Sequence, residues 1–152
     1  MRNKINIIVF CMIIISFCIV NEVSAEVGKS GVVSTNIKEA PEKFIAFYFH
    51  GNFRCTSCRK IEQYSREAIE KFFTEQLKTE KLVFNIINID LSENKHFVEE
   101  YQLYTRSLII AEFKGAKQVR WKNLNKVWNY LNDRDKFYEY VKSEIKKYLE
   151  KI

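Results

Sequence analysis

The sequence predicts an α/β domain whose elements follow the order β-α-β-α-β-β-α, giving a mixed four-stranded sheet flanked by helices. Three observations carry this reading. Apolar runs of strand length occur at Phe44–Phe49, Leu82–Leu91 and Leu108–Ala111. The first of them is followed by a long stretch in which apolar residues recur at helical spacing. Breakers are scarce, with 4 Gly and 1 Pro in 152 residues, so long regular elements joined by short turns are expected.

The elements follow in order. Phe44-Ile45-Ala46-Phe47-Tyr48-Phe49 is continuously apolar and ends at His50-Gly51-Asn52, as in a strand buried on both faces. Ile61, Tyr64, Ala68, Ile69, Phe72, Phe73 and Leu77 then mark one amphipathic helix from about Ser57 to Lys78. Leu82 to Leu91 is the second strand, and Ser92 is placed to cap a short helix carrying Phe97, Val98 and Tyr101. Leu108-Ile109-Ile110-Ala111 is the third strand. Lys114-Gly115-Ala116 turns it into a fourth at Gln118–Trp121. Leu124, Val127, Trp128 and Leu131 predict a short helix. Asp133 caps the last one, whose stripe is Phe137, Val141, Ile145, Tyr148, Leu149 and Ile152. Right-handed crossovers predict three parallel strands, with the hairpin adding an antiparallel edge.

The length and the absence of repeats predict one domain, spanning 42–152. Residues 1–25 read as an export signal. Arg2 and Lys4 start it, Ile5–Val20 is the apolar run, and Val23 and Ala25 give the small-residue spacing of a cleavage site. The run is shorter than the roughly 20 residues that span a bilayer, although an uncleaved signal would hold the protein at a membrane. Residues 26–41 read as a flexible lead-in, rich in Gly and Ser and closed by Pro41. An exported, periplasmic or otherwise extracytoplasmic protein is therefore expected. Cleavage would remove Cys11 and Cys18 and lower the net charge from +6 to +5. That excess is interleaved with Glu along helices, which fits solvated faces and not a nucleic-acid footprint. A monomer is expected.

Cleavage leaves two cysteines, Cys55 and Cys58, in "FHGNFRCTSCRK". Cys55 stands at the strand-to-helix junction and Cys58 about one turn inside the helix, so the sulfurs can meet. The helix start favours negative charge. Arg54 and Arg59 flank the pair, with Lys60 beyond. These features favour a thiolate at Cys55, the nucleophile of disulfide exchange. A structural disulfide of this span would staple little chain. A structural zinc site needs about four ligands, and the mature chain adds only His50 and His96. No separate cofactor is needed for the cysteine chemistry. His50 is the nearest candidate proton acceptor, or else a strand-end residue bonding a loop carbonyl. His96 and Asp90 read as an exposed residue and a loop cap. Trp121 and Trp128 read as packing residues or a partner surface.

On these residues the chain resembles the thioredoxin superfamily. The buried strand, the CxxC at a helix start, "NID" closing the second strand and "YQLYTRSLIIAEFKG" carry the likeness. More narrowly, "YFHGNFRCTSCRKIE" with "WKNLNKVW" is similar to an exported thioredoxin-like group labelled ArsF-type, whose name associates it with reduction of nitrophenyl compounds. The resemblance implies a thioredoxin-like fold and a thiol–disulfide oxidoreductase. The placement and charges of the motif make Cys55 the attacking and Cys58 the resolving thiol, with Arg54 tuning Cys55, and the resemblance implies a protein thiol or disulfide partner, such as a membrane thiol-transfer protein. The superfamily's cis-proline position falls at Ser107, expected to contribute to docking, and its buried acidic position near Phe49. An alternative from another class is a binding subunit or chaperone that holds a soft metal or metalloid ion between Cys55 and Cys58.

Overall fold

The computed structural model describes residues 41–150; residues 1–25, read from the sequence as an export signal, residues 26–40 of the lead-in and residues 151–152 lie outside the described residues. The first strand, β1, spans Glu42–His50. It is followed by helices α1 (Thr56–Phe72) and α2 (Thr74–Lys78), then strand β2 (Leu82–Asn88). After a 3-10 turn at Ser92–Asn94 come α3 (His96–Glu100), β3 (Ser107–Lys114) and β4 (Lys117–Asn123). A second 3-10 turn, Asn125–Trp128, leads to α4 (Arg134–Glu150). Among the described residues no helix is long and apolar enough to cross a membrane.

The sheet order is β2-β1-β3-β4. Strand β1 pairs in parallel with β2 and antiparallel with β3, and β4 is antiparallel to β3. The expectation of three parallel strands is therefore corrected at β3. The connection, residues 89–106, folds into a 3-10 turn and the five-residue α3 and does not run back along the sheet, so β3 starts at the end where β2 stops. Ser107 accordingly lies opposite Phe49. Gly115 turns the β3–β4 hairpin with φ 61°, a conformation glycine adopts at little cost.

Two more expectations are revised. The helix after the cysteines breaks at Phe73, which is buried with φ −130°, and the Thr74 hydroxyl donates to the Glu70 carbonyl. Ser92 does not cap its turn; its hydroxyl donates to Glu93.

Apolar residues fill both faces of the sheet. On one, Phe44, Ala46 and Tyr48 of β1 and Leu108 and Ile110 of β3 pack with Ile61 and Ile69 of α1 and Phe137, Val141 and Ile145 of α4. On the other, Phe47, Phe49, Ile109 and Ala111 pack with Tyr101 and Leu103. The α1–α4 contact is latched by Glu67, which accepts from Tyr138 and Arg134. This holds the cysteine-bearing helix in place.

Candidate active site

The site is built where β1 ends and α1 begins. Cys55 is the N-cap of α1: its Sγ accepts the Cys58 N–H at 3.2 Å, and its carbonyl accepts the Arg59 N–H at 3.1 Å. The positive end of a 17-residue helix is thereby aimed at Sγ of Cys55. Cys55 and Cys58 form a disulfide, with Cα atoms 5.1 Å apart. Their exposures differ. Cys58 is 3% exposed, whereas Cys55 is half-buried and reachable. Among the described residues no group of three or more His, Cys, Asp or Glu side chains is arranged to hold a metal ion.

Beneath the pair lies Tyr48, which the sequence reading did not single out. It is fully buried, and its hydroxyl donates to the Cys58 carbonyl at 2.6 Å. Burial pushes the phenol up to about 12, opposed by the nearby charges of Arg54 and Arg106. Phe49, matched to the acidic position by resemblance, belongs to the cluster on the opposite face of the sheet. The clue available in the sequence was strand alternation: Phe44, Ala46 and Tyr48 share a face.

Arg54 forms an ion pair with Glu62, so its charge beside Cys55 is shared with a carboxylate. His50 is half-buried, stacked on the Tyr48 ring with centroids 6.1 Å apart. Its Nδ1 lies 2.9 Å from the Gly51 carbonyl, which can only accept, so Nδ1 carries the proton. Ser107 is buried at the start of β3. Its hydroxyl donates to the Thr105 carbonyl and accepts from Asn123. Asp90 reaches across 38 residues to accept the Asn52 N–H at 2.7 Å, pinning the loop ahead of Cys55 and not its own turn. Gly51 is needed there, because a Cβ would come within 2.7 Å of Asp90 Oδ2. His96 lies away from the pair, exposed on α3. Trp121 packs edge-on against Tyr101, and Trp128 Nε1 donates to the Arg106 carbonyl at 3.2 Å.

Strand order 2-1-3-4 with β3 reversed, and a cysteine pair opening the helix that follows the central β1, decide the architecture. The fold is thioredoxin-like. No family model matches the chain, and no curated protein does. Solved structures similar to it include thioredoxin O2 from Arabidopsis thaliana in the oxidized state, at 17% identity and TM-score 0.38, covering 63% of this chain and 76% of that one. Fasciola hepatica thioredoxin aligns at 18% identity and TM-score 0.36, over 64% of this chain and 81% of that one. A structure described as a malarial protein aligns at 12% identity and TM-score 0.35, over 53% and 80%. In this thioredoxin-like domain the Cys55–Cys58 disulfide opens the helix that follows the central strand.

Proposed function

We propose that the protein is an exported thiol–disulfide oxidoreductase working through Cys55 and Cys58. The observation that carries this reading is the asymmetry of the pair: Cys55 is reachable and capped by a helix N–H, while Cys58 is buried behind it.

In the reducing direction the Cys55 thiolate attacks one sulfur of a partner disulfide. A new S–S bond joins Cys55 to the partner, and the old bond breaks. Its electron pair leaves with the second partner sulfur, which takes up a proton. Cys58 then loses its proton and attacks Sγ of Cys55. The Cys55–partner bond breaks, the partner leaves as a dithiol, and the protein holds the Cys55–Cys58 disulfide. The partner has gained two electrons and two protons, one proton matching that lost by Cys58 and the other matching that released to solvent when Cys55 ionised. The reverse sequence oxidises a dithiol. The α1 N-terminus stabilises the Cys55 thiolate at each stage that forms it.

Export and a membrane thiol-transfer partner belong to this proposal, supported by the N-terminal run and the resemblance to the ArsF-type group. The test is a Cys58→Ser variant expressed in cells with its own N-terminus. It accumulates a mixed disulfide through Cys55 that reductant releases and Cys55→Ser abolishes. Failure to trap any partner under alkylating quench would sink the proposal. A Cys55–Cys58 soft-ion site is its rival. Tight one-to-one binding of Cu(I) or As(III) by the reduced protein, with negligible disulfide reductase activity, would select that reading instead.

A further inference from the structure

The rim that holds the cysteines also holds Arg106, the residue just before β3. Its Nη2 donates to the Phe53 carbonyl at 3.2 Å, two residues ahead of Cys55, and its own carbonyl is held by Trp128. Arg106 Nη2 would lie 3.1 Å from a Cβ on Gly51, so the loop is packed against the guanidinium. Its Nε is buried with no hydrogen-bond partner. Arg54 and Arg66 face Glu62, and Arg134 faces Glu67. Among the described residues Arg106 forms no ion pair. Asp90, across Gly51, is engaged with the Asn52 N–H. A half-buried, fixed guanidinium whose Nε lacks a partner is costly to desolvate, and a carboxylate that meets it offsets that cost with charge-assisted hydrogen bonds. Two large aromatic side chains, Tyr104 two residues ahead of Arg106 and Phe53 whose carbonyl Arg106 holds, are 96% and 75% exposed and available to a docking surface.

We propose that Arg106 selects partners carrying a carboxylate beside the cysteine that Cys55 attacks, so that the preferred substrate is an acidic, disulfide-bearing segment. The proposal rests on the oxidoreductase reading and adds the chemistry of the partner to it. The positive net charge of the chain, +6 and +5 once residues 1–25 are removed, acts in the same direction.

The test uses two symmetric peptide disulfides, built from Gly-Glu-Cys-Gly and Gly-Lys-Cys-Gly with blocked ends. Each is reduced by the fully reduced protein at low salt, and released peptide thiol is followed. The ratio of the Glu rate to the Lys rate is the readout. Arg106→Gln lowers it roughly tenfold and Arg106→Glu lowers it further. Arg106→Lys keeps the preference, and Lys95→Gln, which removes a charge from an exposed turn, leaves the ratio unchanged. A merely structural role for Arg106 would slow both peptides alike and leave the ratio intact. An unchanged ratio in Arg106→Gln and Arg106→Glu, or its loss in Arg106→Lys, overturns the proposal. A second arm titrates the Ser-for-Cys monomer peptides into the oxidised protein and follows amide shifts. It reads charge selection without exchange chemistry. Should neither disulfide be reduced, the reducing direction alone is excluded, the Cys58→Ser trapping decides the oxidoreductase reading, and this arm decides whether Arg106 binds the acidic peptide.

Discussion

Tyr48 shows how a single hydroxyl can brace a redox motif from below. Its bond to the Cys58 carbonyl ties the buried cysteine to the central strand. Tyr48→Phe removes that bond while the carbonyl keeps its place in the helix, so the expected loss is about 1 kcal/mol of stability, read from the urea midpoint. The pH dependence follows from the raised phenol. The fold favours the protonated form, so its contribution is complete below the ordinary tyrosine value of 10.0 and is lost as pH rises through about 12. The Phe variant should therefore lack that alkaline loss. Cys55 and Cys58 were legible in the sequence because strand, motif and helix are contiguous. Tyr48 was not, because a six-residue apolar run does not say which face meets the helix. Arg106 was hidden for another reason: its nearest partner, Phe53, is 53 residues away, and nothing local marks the pairing.

At the scale of elements, local signals held where a cap or a turn residue decides the outcome. Asp133 Oδ1 accepts the Lys136 N–H at 3.0 Å at the start of α4, as its position predicts. That hydrogen bond, reinforced by the Lys136 ammonium, holds the Asp133 carboxyl below its ordinary 3.8. Its contribution is complete above that value and is lost as pH falls through the lower, folded one. Asp133→Ala should lower the melting temperature at pH 7, and the difference should shrink as pH falls from 3.8 through the lower, folded value. Non-local outcomes were less legible. The direction of β3 is set by its antiparallel pairing with β1, strands separated in the chain by α1, β2 and α3, and the break at Phe73 depends on the core that receives its ring.

For the whole molecule, stability is vested in the two apolar clusters and in the ionic contacts between sheet edge and α4. Arg120 donates to buried Glu112 and lies over the Tyr148 ring, and Lys122 meets Glu144 at 2.5 Å. Burial pushes the Glu144 carboxyl up, but Lys122 and Lys147 outweigh it, and the net displacement is downward. The disulfide, by contrast, spans three residues, and a loop that short restricts the unfolded chain by about 2 kcal/mol. The reduced protein should thus keep its far-ultraviolet circular dichroism and unfold cooperatively, at a modestly lower denaturant midpoint. Collapse on reduction would assign the pair a structural role instead.

The hairpin turn at Gly115-Ala116 lies at the end of the sheet opposite the cysteines, where the Gly115 N–H bonds the Pro41 carbonyl at 3.0 Å. Strand β3 puts about 27 Å between that turn and Ser107. A fluorophore or surface tether attached through Ala116 would leave the Cys55 rim turned toward solution. The domain can in this way be immobilised as an oriented probe for capturing its own exchange partners.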